Sequence, residues 1–263
     1  MGALSVEAYG LNQVGGLELK LGNYQAAIAA FQRSLSLQES LRTEHGRIAA
    51  QLGIGFAYSH LGACAAARQW LEQAIATARQ VGHQRRLAEA LIGLGITETI
   101  KGQFEKAELC LCEAVQIARR SQSLGNLAAG LAALGRLERK KGDWKTALWY
   151  ALEAVQISHQ LQFVAVEMWG ELELGLLYLA QGKAKKALDH TQRASELAAC
   201  EDEGWIGREQ VYQAQAMVLR ALGREAEARE QICLAQEIIA SKAALIADPD
   251  LRSSFLKKVK RRL

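Results

Sequence analysis

The residues able to do chemistry are few, and their spacing brings none of them together. The five cysteines, Cys64, Cys110, Cys112, Cys200 and Cys233, are odd in number and contain one close pair. Cys110 and Cys112 stand two residues apart in a stretch of helical periodicity, so they point about 200° apart and cannot share a metal. Reduced, buried thiols in a cytoplasmic protein are expected. The histidines His45, His60, His83, His159 and His190 are scattered; His60 and His190 read as surface or groove residues, not ligands. Glu98 and Glu138 hold equivalent places with no nucleophile or ligand beside them. They are expected on a solvated face, with Lys101 and Arg139 near enough to relieve their repulsion. The sequence has no GxxxxGK[ST] phosphate loop, HExxH, GxSxG or paired CxxC. No catalytic residue, metal or cofactor is expected, and the chain does not read as an enzyme.

The bulk composition fits that reading. Half of the 263 residues are hydrophobic but only 6% are aromatic, so the core must rest on Ala, Leu, Ile and Val. Pro249 is the sole proline. A chain this free of helix breakers favours long helices. The net charge of +4 makes no case for nucleic acid. No apolar run of about 18 residues predicts a membrane span, and Met1 to Gly10 lacks the form of a secretory signal.

What positions the side chains is a repeat. Glycines recur at Gly22, Gly62, Gly102, Gly142 and Gly182, with Gly223 after one extra residue. Five residues after each stands Ala27, Ala67, Ala107, Ala147, Ala187 or Ala228. Twelve after stands Ser34, Ala74, Ala114, Ala154, Ala194 or Ala235, and seven before stands Gly15, Gly55, Gly95, Gly135, Gly175 or Ala216. Seven residues is about two helical turns, so the members of each pair share a helix face. The second glycine of each pair suits a helix end, where a left-handed residue is cheap only as Gly. Small residues at facing positions let two helices approach closely. Val14, Ile54, Leu94, Leu134 and Leu174, with Phe31, Leu71 and Leu111, are expected to fill the rest of the seam.

Each unit is therefore an antiparallel helix pair. The spacing predicts helices at 5–21, 24–40, 44–61, 64–80, 84–101, 104–120, 124–141, 144–160, 164–181, 184–199, 203–222 and 225–241. Six units follow, at about 5–42, 43–82, 83–122, 123–162, 163–202 and 203–242. They are expected to stack as one array over 1–242 with no internal domain boundary. Asp248 as N-cap, Pro249 at the first helical position and Asp250 in the first turn predict a closing helix, about 249–262, within a capping segment 243–263. The basic run at 257–263 reads as a solvated tail or helix cap.

The segments 16–34, 55–74 and 95–114 resemble the tetratricopeptide repeat, whose pattern sets a small residue, Gly seven later, Ala five after that and Ala seven later again. The likeness runs through all six units. It departs from the usual repeat in being 40 residues long and in lacking the proline that ends the unit. Long units of this kind resemble those of bacterial regulators and kinesin-light-chain-like adaptors. The phrase at 247–256 resembles the close of such regions in large signalling proteins, which suggests a portion of a larger regulator. The resemblance implies an all-α fold, a right-handed α-solenoid of six helix–turn–helix repeats plus a C-terminal helix.

It also implies a groove lined by first-helix positions ten, six, three and two before the turn glycine. In this chain those columns give candidate partner-binding residues Asn12, Leu52, Phe56, His60, Ile92, Ile96, Thr99, Arg136, Arg139, Lys140, Leu172 and Leu176. The Lys/Asn clamp for a terminal carboxylate is absent, since Leu52 and Ile92 fill its places. A protein or peptide segment with apolar anchors and an acidic flank is the expected partner, in signalling or regulation, facing the cationic Arg136, Arg139 and Lys140. The alternative is a sensor arm of a larger ATPase, cyclase or transcription regulator that takes a small ligand or nucleic acid. The column Trp70, Cys110, Tyr150 and His190 is either a convex contact ridge or packing between second helices.

Overall fold

The computed structural model describes residues 2–200 and 206–260. Helices account for nearly all of it: α1 (Gly2–Lys20), α2 (Tyr24–Ser40), α3 (Glu44–His60), α4 (Cys64–Gln80), α5 (Gln84–Lys101), α6 (Phe104–Arg120), α7 (Leu124–Lys141), α8 (Trp144–Gln160), α9 (Val164–Ala180), α10 (Ala184–Cys200), α11 (Arg208–Ala221), α12 (Glu225–Leu245) and α13 (Pro249–Lys260). No strand occurs among the described residues. Most bounds fall within a residue or two of the repeat spacing. Three differ more: α1 starts earlier, α11 starts after the extended Gly207, and α12 runs on to Leu245 because nothing breaks a helix before Asp248–Pro249.

The turns explain why each pair forms. At the first-to-second helix turn, Gly62 adopts φ 75°. Its N–H donates to Ser59 O, and Ala63 N–H donates to Tyr58 O. This pair of hydrogen bonds satisfies carbonyls that the helix end would leave open, and only the glycine's lack of Cβ makes the left-handed turn cheap. The same bonds recur at Gly102, Gly142, Gly182 and Gly223. The small-residue columns do what their spacing implies. Ala107 and Ala114 are fully buried, and a Cβ on Gly95 would stand 2.5 Å from Leu111 Cγ. Such closeness leaves no room for a side chain.

The chain groups into two compact units. The first comprises residues 2–126 and 242–260, the second residues 127–241. In the first, α1 packs on α2, α3 on α4 and α5 on α6; α2 and α4 also pack on the next first helix, and α1, α3 and α5 lie side by side. In the second, α9 packs on α8, α10 and α11. Ala27, Phe31, Leu35, Ala50 and Ile54 form one core cluster, where a second helix meets the following first helix. Ala147, Ala151, Leu174 and Leu177 form its counterpart in the second unit. Ile54, Leu94, Leu134 and Leu174 fill the seam as expected, whereas Val14 is 48% exposed. Ile54 is covered by Phe31 and Leu35 of α2, and Leu174 by Ala147 and Ala151 of α8.

Two further expectations are corrected. The thiols are less buried than expected: Cys64, Cys110 and Cys112 are half-buried and Cys233 is exposed. Burial still pushes the Cys110 thiol up to about 11. Glu98 and Glu138 are buried, not solvated. Arg68 binds Glu98 through Nε at 2.7 Å and a second nitrogen at 2.5 Å, and Lys141 binds Glu138 at 3.0 Å. A buried carboxylate needs such partners. Trp169 is core, while Trp149 is exposed against Tyr150; Trp205 lies outside the described residues. No described helix is long and apolar enough to cross a membrane.

Candidate partner-binding groove

The candidate residues sit on first helices, so their exposure depends on how α1, α3 and α5, or α9 and α11, lie against each other. In the first unit Leu52, Ile92, Ile96 and Thr99 are buried, packed within the stack rather than facing solvent. Helices α1, α3 and α5 lie side by side there, and Thr99 turns its hydroxyl back onto Gly95 O at 2.8 Å. Asn12, Phe56 and His60 are half-buried and reach the surface. Phe56 lies across α5, where a Cβ on Gly93 would come within 2.6 Å of its ring. Asn12 donates from Nδ2 to Gly46 O at 3.4 Å, and its Oδ1 is buried with no hydrogen-bond partner. An acceptor in that state costs about 1–3 kcal/mol.

In the second unit Leu172 is buried and Leu176 half-buried. The cationic cluster differs from the expectation. Arg136 is buried, and its Nε donates to Glu173 Oε1 at 2.6 Å. Arg139 Nε donates to the other oxygen at 2.7 Å. Trp169 Nε1 donates to Oε1 at 3.3 Å, and its ring lies 5.0 Å from the Arg136 guanidinium. Burial pushes the Glu173 carboxyl up, but the two guanidiniums overcome it and hold it down at about 2. Two of the three cations meant for an acidic flank are thus committed to an internal carboxylate. Lys140 is exposed.

Sequence reasoning passed over Glu173. The signal available was an acid in the column nine before the turn glycine, where earlier units have Gly53 and Gly93. In the ridge column Trp70, Cys110, Tyr150 and His190 are all half-buried. Trp70 lies on the first core cluster. His190 stacks on Tyr178 at 5.2 Å and binds Glu171 at 2.7 Å. No group of three metal-ligating side chains occurs among the described residues.

Antiparallel helix pairs with glycine turns and alanine seams define a tetratricopeptide-repeat protein. The chain belongs to the family described as the MalT-like TPR region, which it matches over residues 15–249. No curated protein matches it. Among solved structures it is similar to a Rap protein complexed with competence and sporulation factor, at 20% identity and TM-score 0.73, over 97% of this chain and 74% of that one. It is similar to the Rap conjugation gene regulator of plasmid pLS20 in complex with the Phr* peptide, at 15% identity and TM-score 0.72, over 99% and 74%. NprR in complex with its cognate peptide NprX matches at 13% identity and TM-score 0.67, over 98% and 78%.

Proposed function

We propose that the protein binds a peptide or helical segment of another protein along its first helices, using apolar anchors, and performs no catalytic step. The observation that carries this is that Asn12 and Phe56, in the columns expected to face a partner, stay half-buried while Leu52, Ile92 and Ile96 of the same columns are closed into the stack. Phe56, half-buried on the neighbouring first helix, is the apolar anchor. The peptides seated in Rap and NprR, solenoids alike over nearly this whole chain, support the reading. With Arg136 and Arg139 held by Glu173, the partner's apolar face carries the recognition more than any acidic flank does.

Selection of random displayed peptides against the full chain tests this. A selected peptide should lose at least about tenfold in affinity, ~1.4 kcal/mol, with Phe56→Ala and with Asn12→Ala, while helix content is unchanged. Equal affinity in both folded variants rejects the groove. A second reading, a sensor arm of a larger regulator, draws on the family's description as a region. Tight uptake of a small ligand or nucleic acid, insensitive to Phe56→Ala, would favour it.

A further inference from the structure

The six turn glycines share one backbone shape, with φ between 74° and 89°. Their surroundings differ. A Cβ on Gly102, Gly142, Gly182 or Gly223 would meet nothing within 4 Å. A Cβ on Gly62 would stand 2.9 Å from Ser254 O and 3.0 Å from Lys258 Cβ, and one on Gly22 would stand 3.2 Å from Lys242 Cε. Only the first two turns are covered, and what covers them comes from the far end of the sequence. Helix α13 lies on the Gly62 turn, and Lys242 near the end of α12 lies on the Gly22 turn, all within the first unit.

The contact is specific. Phe255 and Val259 are the buried residues of α13. Phe255 meets Tyr24 at 6.2 Å between ring centroids, and Tyr24 stacks on His60 at 5.2 Å and 13°. Lys258 Nζ donates to Ser59 O at 3.0 Å and to His60 O at 2.9 Å. Those are carbonyls at the C-terminal end of α3, where a cation also meets the negative end of the helix dipole. The tail is prepared for this seat. Asp248 Oδ1 accepts from the N–H groups of Asp250 and Leu251, starting the helix.

Two features make the seat one that can empty. An isolated helix of twelve residues is marginal in water, and α13 buries two side chains while Lys257 and Lys260 stay exposed. Ile246, Ala247 and Asp248 alone join it to α12, so occupancy is favoured by the high local concentration that a short tether gives. We infer that Tyr24, His60 and Gly62 form a helix-binding site, filled in cis by the chain's own α13, whose ligand class is a basic amphipathic helix with an aromatic anchor, a lysine three residues on and an aliphatic four on. This surface lies at the turns and is separate from the Asn12 and Phe56 reading.

The test uses full-length chains and a fluorescent synthetic peptide of residues 247–260. The wild-type chain should take up little peptide, because its own tail holds the seat. Phe255→Ala/Lys258→Ala in the chain should raise affinity for the unmodified peptide at least about tenfold. Adding Gly62→Ala should abolish that gain. Adding Gly102→Ala, which carries the same backbone strain in open space, should leave it. A well-folded released chain that binds no peptide, or binds it equally with Gly62→Ala, overturns the proposal. Hydrogen exchange on the unaltered chain gives a second check that needs no variant. Amides of 249–260 should exchange at least about tenfold faster than those of α3, and equal protection would make the tail a fixed part of the fold.

Discussion

Two contacts at one register fill the same space in opposite ways. In the first unit Phe56 lies on Gly93; in the second Arg136 binds Glu173. Each pair runs from the position six before one turn glycine to the position nine before the next, so the pairs are equivalent in the repeat. The first uses an aromatic ring where glycine leaves a hollow. The second uses a guanidinium, a carboxylate and the indole of Trp169. The repeat therefore fixes where two first helices touch, and the side-chain pair decides how. An apolar contact gains from area removed from water, about 25 cal/mol per Å². A buried ion pair gains little net, because desolvation offsets attraction, yet breaking it strands a charge.

The largest effect should come from breaking the ionic member. Glu173→Ala leaves Arg136 buried without its carboxylate and should cost about 3–5 kcal/mol in chemical denaturation. Copying the other unit's solution, Arg136→Phe/Glu173→Gly, should recover at least about half of that loss, since Arg139 is partly exposed and can turn to water. No recovery would mean that the two contacts are not interchangeable. The pair also brings a pH dependence that Phe56 and Gly93 lack. The Glu173 carboxyl sits at about 2, below its ordinary 4.5. Its stabilisation is complete above about pH 4.5 and is lost as pH falls through about 2. Hydrogen exchange of α9 followed from pH 6 to pH 2 should show that slope, and Glu173→Gln should flatten it.

A smaller contrast lies inside the first unit. Leu52 is buried and Phe56 half-buried, although both stand in columns expected to face a partner. Leu52→Ala should cost about 2–5 kcal/mol through the cavity it leaves. Phe56→Ala should cost roughly half as much or less in stability, and its main effect should fall on peptide affinity. The reverse order would place Phe56 in the core.

Much of the fold was legible because it is written in small residues. Gly95 and Ala107 tolerate nothing larger, so their spacing had to appear in the sequence. The candidate groove was less legible. A first-helix residue can face a partner or the next first helix, and period alone does not separate Leu52 from Phe56. The Arg136–Glu173 contact needs two residues thirty-seven apart to be read as a pair, which single-column reading cannot do. The destination of α13 was hidden for a related reason. Asp248 and Pro249 announce a helix, but Tyr24 and His60 carry no mark of the partner that Phe255 and Lys258 supply.

The smallest expected effect concerns the turns between units, where the two regions differ by one side chain. Gly82 in the first unit and Gln162 in the second hold equivalent positions, with φ 70° and 52°. Their hydrogen bonds match as well: each N–H donates three residues back, and the next N–H donates five back, to Ala78 O and Ser158 O. A Cβ on Gly82 would meet nothing within 4 Å. The exchange therefore tests backbone strain alone. A left-handed non-glycine residue costs about 1–2 kcal/mol, and glycine's extra freedom when unfolded returns part of that. Gln162→Gly should therefore raise stability by about 0.5–1 kcal/mol, and Gly82→Gln should lower it by a similar amount. Opposite signs of similar size would show that the two turns are one device. A loss in Gln162→Gly would show that its side chain holds the turn through contacts the first unit lacks.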